Sequence, residues 1–433
     1  MTHSLEDLKS GKLIGLTGLK LACDLKKFPE EIFSLADSLE VLDLSDNQLT
    51  ELPSSISQLK NLRIIFFARN NFTQFPTVLS QCTALSMIGF KSNQIEVVPE
   101  NAFPLKLKWL ILTDNKIKRI PKSIGCCSLL QKCALAGNRI EELPVEMANC
   151  LNLELLRISA NCIKSIPTWL FELPHLSWIA FGGNPVEHQI QINTDFESFE
   201  WEDFNVKALQ GEGASGLIYK AVWKSRKEDV AIKIFRGDVT SDGVPEDEME
   251  VSIAAGFHKN LIQVLGKIKN HPEGKNGLIM ELISSNYINL GNPPSLVTCT
   301  RDVFDNEVVF DEDQLLKIAK SIASVCSQLH SKGISHGDLY AHNILVNNTA
   351  ECILGDFGAA SFYCVTSVLA PKIERIEVRA YGCLLEDLVT LVSEIESPNL
   401  RRSRWQKLIN DCRLFNVKSR LGFSEILLEL DKF

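Results

Sequence analysis

The sequence predicts an α/β solenoid of short repeats in the N-terminal half and a separate α+β domain in the C-terminal half. Three observations support this prediction. The chain has 433 residues, more than one hydrophobic core usually covers. An asparagine recurs every 22 or 23 residues in the first half. In the second half, a glycine-rich segment lies between two apolar runs of the β type.

Charge and composition disfavour several classes of protein. The 45 Lys and Arg residues are outnumbered by 54 Asp and Glu residues, which gives a formal net charge of −9. A chain of this sign has no overall attraction to nucleic acid or to anionic membranes. No run approaches the roughly 20 apolar residues of a membrane span, and the first residues lack the apolar core of a secretory signal. The 13 cysteines form no CxxC pairs, which favours reduced thiols and a cytoplasmic location.

The repeat is clearest at Leu39-xx-Leu42-x-Leu44-xx-Asn47. Leucines that alternate along a short strand point to one side and form a stacked core. The same asparagine position recurs at Asn70, Asn93, Asn115, Asn138, Asn161 and Asn184. This pattern resembles the leucine-rich repeat family over residues 13–187, in about eight copies. In such arrays each repeat buries its apolar face against its neighbours, so the leucines and asparagines are scaffold.

Positions that alternate outward on the repeat strands, on the concave face, are largely apolar. We predict that this face binds a protein substrate or ligand, because exposed apolar patches usually mark contact surfaces. An alternative is that these residues only raise β propensity. The predicted contact residues are Phe66, Met87, Trp109, Leu155 and Trp178. Residues 188–203, which follow the last repeat, are polar and acidic and are predicted to form a cap and a short junction.

The glycine-rich segment is Gly211-x-Gly213-x-x-Gly216, and Lys233 follows it on the next predicted strand. Because a β-type run lies on each side, the pattern suits a glycine-rich hairpin over phosphates better than the strand-to-helix turn of a dinucleotide fold. Lys233 lies seventeen residues after Gly216, and from the next strand it can reach phosphates held beneath the hairpin.

Two further segments follow in a familiar order. His336-Gly-Asp338 leads to Asn343, and Asp356-Phe-Gly comes thirteen residues after Asn343. Together with the glycine-rich hairpin and its lysine, they resemble the eukaryotic-type protein kinase family over residues 204–433. The resemblance implies a bilobal α+β domain, with an N-lobe at 204–284 and a C-lobe at 285–433.

The resemblance also implies a role for each residue. Lys233 would bind the α and β phosphates of ATP, and Glu250, in a helical stretch, would hold Lys233 in place. Asp338 would orient the acceptor hydroxyl and accept its proton. Asn343 and Asp356 would supply oxygen ligands for Mg²⁺. The other implied nucleotide contacts are Gly211, Gly213, Gly216, Ala231, Met280 as gatekeeper, Glu281 and Ile283.

The sequence departs from the family pattern in three ways. Gly337 replaces the arginine that pairs with a phosphorylated activation segment, so control by that route is not expected. Tyr340 stands where serine/threonine kinases have a lysine, and His342 stands where tyrosine kinases have an arginine. The activation segment is short, because only 21 residues separate Asp356 from Glu377, the residue aligned with a helix aspartate of the family.

The expected function is therefore that of an ATP-dependent protein kinase, with Ser/Thr acceptors and a leucine-rich-repeat recognition domain. Two alternatives remain open at this point. The His-Gly-Asp-Leu loop is also similar to that of small-molecule phosphotransferases. A pseudokinase scaffold is the third reading, because the activation segment that normally supports a substrate peptide is reduced.

Overall fold

The computed structural model describes residues 2–186, 196–213, 215–237, 239–240, 242–305, 309–392 and 401–433. By their internal contacts they divide into two units. The first unit extends to His175 and includes Asn184–Val186, whereas Leu176–Gly183 and the chain beyond residue 186 form the second. No helix among the described residues is both long and apolar enough to cross a bilayer.

The first unit is a stack of short parallel strands. A short helix, α1 (Leu5–Lys9), precedes them, and each strand pairs in register with the strand of the next repeat. The strands are β1 (Gly18–Lys20), β2 (Val41–Asp43), β3 (Ile64–Phe66), β4 (Met87–Gly89), β5 (Trp109–Ile111), β6 (Lys132–Ala134) and β7 (Leu155–Arg157). The 3₁₀ helices of the unit are Glu30–Leu35, Ser54–Gln58, Thr77–Gln81, Lys122–Cys126, Val145–Asn149 and Thr168–Glu172.

The predicted asparagine ladder is present, and Asn115 illustrates its bonding. Its side-chain oxygen accepts a hydrogen bond from the amide of Ile95 at 2.9 Å. Its amide nitrogen donates to the carbonyl oxygens of Phe90 and Leu112, at 2.9 and 3.0 Å. The side chain thereby joins adjacent repeats and satisfies backbone groups that would otherwise be buried without partners. This bonding explains why the asparagine recurs along the repeats.

The second unit begins in the chain with Leu176–Gly183, which contains strand β8 (Trp178–Ala180). Its largest sheet has the strand order β10-β11-β12-β14-β13-β9. These strands are β9 (Ser198–Glu200), β10 (Phe204–Glu212), β11 (Gly216–Trp223), β12 (Glu228–Phe235), β13 (Val264–Lys269) and β14 (Gly277–Glu281). All neighbours are antiparallel except β13 and β9. Helix α2 (Pro245–Ala255) lies in the chain between β12 and β13.

Part of the predicted cap and junction belongs to this sheet. Residues 188–195 lie outside the described residues, but Ser198–Glu200 pairs with β13 as a parallel edge strand. The ring of Phe199 packs against Trp223, with 4.6 Å between centroids. It also fills the space beside Gly266, where a Cβ would come within 2.7 Å of the ring. Phe199 and Trp201 of this stretch are partly buried and pack against the core of the second unit.

The rest of the second unit is mainly helical and contains five short strands among the described residues. Helix α3 begins at Asp311, whose side chain caps the amide of Gln314 at 2.7 Å. The helices are α3 (Glu312–Ser331), α4 (Ala370–Thr390), α5 (Arg402–Cys412) and α6 (Phe423–Leu430). The strands are β15 (Ile288–Asn289), β16 (Ile334–Ser335), β17 (Ile344–Val346), β18 (Cys352–Leu354) and β19 (Ser361–Phe362). Strand β15 pairs with β17, which pairs with β18, and β16 pairs with β19.

Candidate active site

The glycine-rich segment forms the turn between β10 and β11. Gly211 pairs with Ile218, and the amide of Gly213 donates to the carbonyl oxygen of Gly216 at 3.0 Å. At Gly216 a Cβ would collide with the backbone of Ile234 on β12, so only glycine fits there. At Gly211 and Gly213 the space beside the backbone is open. A ligand such as a phosphate could therefore approach the backbone of this turn closely.

Lys233 lies on β12, opposite Ile218 of β11. Its ammonium group is hydrogen-bonded to the carboxylate of Glu248 on α2. The side chain of Glu248 is only 4% exposed, and this burial raises the pKa of its carboxyl. The charge of Lys233 acts to lower that pKa, whereas the charge of Asp356 acts to raise it further. A buried pair of this kind fixes the lysine at one place in the site.

The prediction that Glu250 holds Lys233 is wrong. Glu250 is exposed, whereas Glu248 is the buried carboxylate that contacts the lysine. The reason is the phase of the helix. Residues three, four and seven positions after Glu248 share its face, and two of them, Val251 and Ala255, are buried. A position two residues away from Glu248 points to the opposite side.

The implied nucleotide contacts Met280 and Glu281 lie on β14. Met280 pairs with Ala231 across the sheet, and both are buried in one apolar cluster with Leu278. Glu281 is the last residue of β14, where its amide donates to the carbonyl oxygen of Gln263, and Ile283 follows the strand end.

Several of the predicted residues line one cavity between β11, β12, β14 and α2. Gly213, Lys233, Met280 and Asp356 line it, whereas Gly211, Ala231, Glu281, Ile283 and Asn343 do not. Lining residues that the sequence analysis missed are Ser215, Ile218, Thr240, Asp242, Glu248, Ser252, Ile262, Val264, Leu278, Gly355, Phe357 and Gly358. Ser252 lies four residues after Glu248 and therefore shares its face of α2.

Asp338 lies on the loop that connects β16 to β17. Its carboxylate oxygen Oδ2 accepts a hydrogen bond from the side-chain nitrogen Nδ2 of Asn343 at 2.8 Å. The same nitrogen donates to the backbone carbonyl oxygen of Asp338 at 2.9 Å. His336 is fully buried and its Nε2 lies 2.9 Å from the carbonyl oxygen of Gly355. These bonds join Asp338, Asn343 and the segment that contains Asp356 into one connected site.

Glu377 supports the same loop from helix α4. Its two carboxylate oxygens accept hydrogen bonds from the amides of His336, at 3.2 Å, and Gly337, at 2.7 Å. His330 Nε2 lies 2.6 Å from Glu377 Oε2. Burial acts to raise the pKa of the Glu377 carboxyl. The hydrogen bond and charge of His330, together with His336 and the Gly337 amide, outweigh burial and lower it. A buried acceptor in its ionised form therefore holds the loop.

Asp356 lies just after β18 with a left-handed backbone (φ 55°). Its Oδ1 accepts a hydrogen bond from the amide of Gly358 at 3.1 Å. The next residue, Phe357, is buried, and its ring centroid lies 5.3 Å from that of His336. The apolar ring is thus turned inward while the carboxylate of Asp356 is exposed at the cavity.

Comparison with known families agrees with this geometry. Residues 204–372 match the family model described as "Protein kinase domain", and residues 37–81 match "Leucine Rich repeats (2 copies)". The chain contains leucine-rich repeats and a protein kinase domain.

Several curated relatives are named as probable serine/threonine-protein kinases. The chain is 30% identical over 189 residues to a protein named as a probable serine/threonine-protein kinase of Encephalitozoon cuniculi, covering 42% of this chain and 33% of the relative. It is 26% identical over 301 residues to a probable LIM domain-containing serine/threonine-protein kinase of Dictyostelium discoideum (60% and 43%). It is 26% identical over 257 residues to a probable LRR receptor-like serine/threonine-protein kinase of Arabidopsis thaliana (54% and 39%). The match thus spans less than half the length of each relative.

Residues 336–343 correspond to the catalytic loop that the resemblance implies, and two unusual residues of this loop stack on each other. The rings of Tyr340 and His342 are 5.0 Å apart. His342 Nδ1 lies 2.7 Å from Oδ1 of the buried Asp302, whose Oδ2 accepts the His342 amide at 3.1 Å. Burial acts to lower the pKa of His342. The hydrogen bond and charge of Asp302, with the charges of Asp338 and Asp356, outweigh burial and raise it. The contacts with Asp302 therefore favour the protonated form of His342 more than water does, in the loop that also contains Asp338.

The predicted contact residues on the repeat strands differ in exposure. Trp178, Leu155 and Met87 are only 2%, 4% and 8% exposed. The prediction that these three form a free binding surface is therefore wrong. Phe66 and Trp109 remain partly exposed, and the ammonium group of Lys132 lies 4.3 Å from the Trp109 ring centroid. For Trp178 the physical reason is that it packs within the second unit, against the catalytic loop.

Proposed function

We propose that the chain is an ATP-dependent protein kinase that transfers the γ-phosphate of ATP to serine or threonine hydroxyl groups of a protein. The observation that carries this proposal is the Lys233–Glu248 pair, set in one cavity with Gly213, Met280 and Asp356. A fixed cation beneath an open glycine turn suits the phosphates of a nucleotide. The apolar strand face at Met280 suits the adenine ring.

The transfer step is assigned to Asp338. The acceptor hydroxyl oxygen bonds to the γ-phosphorus while the bond from that phosphorus to the bridging oxygen of ADP breaks. The hydroxyl proton passes to the carboxylate of Asp338. Asn343 holds that carboxylate through its 2.8 Å hydrogen bond, and Glu377 holds the preceding backbone amides. Positioning of this kind is the main contribution that a protein makes to phosphoryl transfer.

Asn343 and Asp356 are the proposed ligands for Mg²⁺, which when bound offsets the negative charge of the phosphates. The residues suit such an ion. The amide nitrogen of Asn343 is used by Asp338, so the amide oxygen is the atom left for a cation. One oxygen of the exposed Asp356 carboxylate accepts the Gly358 amide, which orients the group. Amide and carboxylate oxygens are the ligand types that this hard cation prefers.

We propose that the leucine-rich repeats select the protein substrate. The surface retained for this role is the pair of partly exposed aromatic residues Phe66 and Trp109. Aromatic side chains are common anchors of protein interfaces. A Phe66→Ala/Trp109→Ala variant should phosphorylate a short generic peptide at the parent rate but phosphorylate its protein substrate more slowly. Equal rates on the protein substrate would contradict this assignment.

A cytoplasmic location is also proposed. It is supported by thirteen cysteines, all of which are free thiols in the structure. Reduced thiols are usual in the cytosol. Imaging of the tagged chain in cells, compared with cytosolic and organelle markers, tests the proposal, and a signal confined to an organelle would contradict it.

Incubation of the purified chain with radiolabelled ATP and Mg²⁺, alone and with a cell lysate, tests the proposed reaction. We expect label on protein, and phosphoserine or phosphothreonine after acid hydrolysis. Label on a small molecule would identify a small-molecule phosphotransferase instead. No label on either, together with retained nucleotide binding, would identify a pseudokinase scaffold. The Lys233→Met variant is the control for a contaminating kinase.

A further inference from the structure

Gly337 occupies a backbone position that no other residue fits. Its φ is +72°, in the left-handed region that favours glycine. A Cβ there would lie 2.5 Å from the carbonyl oxygen of Ala359 and 2.6 Å from that of Ile179. The backbone of Ala359, in the segment after Asp356, and the backbone of Ile179, on strand β8, therefore fill the space that an arginine side chain at position 337 would need.

Strand β8 also contacts the residues that follow Asp338. The indole Nε1 of Trp178 donates a hydrogen bond to the carbonyl oxygen of Leu339 at 3.1 Å. The indole ring stacks on Tyr340, with 4.4 Å between centroids and 7° between planes. A nearly parallel aromatic stack with a buried hydrogen bond restrains both residues. Asp338 lies between these contacts and the amides that Glu377 holds.

The same stretch of chain contacts the segment after Asp356. The amide of Phe181 donates to the Ser361 hydroxyl at 2.9 Å, and Ser361 is buried. A Cβ at Gly182 would lie 3.1 Å from the carbonyl oxygen of Ala360, so the two backbones approach closely. From helix α4, Arg379 donates to the Ser177 hydroxyl at 2.7 Å and anchors the start of the stretch. Both catalytic segments are thus tied to Leu176–Gly183.

We propose that Leu176–Gly183 is a built-in positioning element for phosphoryl transfer, and that Trp178 is its principal positioning residue. The proposal rests on the proposed kinase function. Where a phosphate on the activation segment would pair with an arginine, this chain uses its own strand to order the catalytic loop. Transfer therefore requires no phosphorylation of the segment after Asp356. Ser361, a hydroxyl in that segment, is used as a hydrogen-bond acceptor for Phe181.

Hydrogen exchange of the full chain tests this proposal without relying on activity. Trp178→Ala should speed exchange at the amides of His342 and Asn343 by about tenfold or more, because the loop loses its restraint. Trp109→Ala removes a tryptophan from the equivalent position of β5 and should leave these amides unchanged. Unchanged exchange in Trp178→Ala would overturn the proposal.

Kinetics of the same variants distinguish positioning from other roles. Trp178→Ala should lower kcat about tenfold while the Kd for ATP stays within about twofold. Trp178→Phe keeps the stack on Tyr340 and should recover part of the rate. Phosphatase treatment of the parent should leave its rate unchanged, whereas a drop of about tenfold would overturn the proposal. A higher rate in Trp178→Ala would show that the strand blocks the site, and would also overturn it.

Two further outcomes are informative. If Trp178→Ala does not fold, Trp178→Phe and Ser361→Ala carry the test, because each removes one hydrogen bond to this stretch and leaves the packing. At least one of them should speed exchange in the catalytic loop, and no change in either would overturn the proposal. If the parent transfers no phosphate, the proposed function fails, and the exchange measurement still decides whether the strand restrains the loop.

Discussion

The ammonium group of Lys233 is hydrogen-bonded to the buried carboxylate of Glu248. This bond joins strand β12 to helix α2, and both residues line the cavity. Because the acidic partner of the lysine lies on the helix, the position of the lysine depends on the orientation of that helix. A rotation of α2 away from the sheet would break the contact between Glu248 and Lys233, and Lys233 would no longer be held at the cavity.

Glu248→Gln should lower the rate of phosphate transfer about tenfold to a hundredfold, because a charge-assisted hydrogen bond contributes about 1.5–3 kcal/mol. Glu250→Gln is the matched control on the same helix. Since Glu250 is exposed, it should retain the parent rate. Steady-state kinetics with ATP and an acceptor protein give both values. Equal losses in the two variants would contradict the assignment of Glu248.

The His342–Asp302 pair predicts a dependence of stability on pH. The pKa of folded His342 is raised above that of the unfolded chain, about 6.5. Its contribution is therefore complete below about pH 6.5 and is lost as the pH rises through the folded value. The Tm difference between the parent and His342→Gln should be larger at pH 6 than at pH 9.

His258→Gln is the control for this measurement. Burial lowers the pKa of His258, so the folded state favours its neutral form. The Tm difference for His258→Gln should therefore not grow on going from pH 9 to pH 6. A His342→Gln difference that is the same at both pH values would contradict the role of the charged imidazole.

The asparagine ladder predicts a large local effect on stability. Asn115→Ala should lower the free energy of unfolding of the repeat unit by about 2–4 kcal/mol, because it leaves buried backbone groups without partners. Asn152 is an exposed asparagine with a single hydrogen bond to the carbonyl oxygen of Ser128. Asn152→Ala should change stability by no more than about 0.5 kcal/mol. Denaturant unfolding followed by circular dichroism would show the difference, and similar losses in both variants would count against the ladder.

The sequence allowed correct predictions where the same residue type recurs at a fixed spacing or where motifs follow a known order along the chain. The ladder asparagines could be predicted because each one does the same job one repeat further on. The placement of Lys233 and Asp356 at one cavity could be predicted because the order of their motifs along the chain resembles that of a known family. The burial of Ser361 could not be predicted, because Ser361 accepts the amide of Phe181, a residue 180 positions earlier in the chain.

Glu248 and Trp178 show why the remainder could not be predicted. Glu248 and Glu250 lie in the same helical stretch, and only the phase of its apolar residues Val251 and Ala255 distinguishes them. For Trp178 no local signal exists. Its outward position on a repeat strand predicts exposure, but its hydrogen-bond partner Leu339 is 161 residues away. Contacts at that separation depend on tertiary packing.

Transfer of the γ-phosphate by Asp338→Asn tests the central claim most directly. The variant should bind ATP with a Kd within about twofold of the parent, because Asp338 is not a proposed nucleotide ligand. Its transfer rate to serine or threonine should fall by about 10²–10⁴-fold, the usual contribution of a general base. Asp313→Asn, an exposed position on α3, should match the parent. A transfer rate in Asp338→Asn equal to that of the parent would contradict the kinase mechanism proposed for this chain.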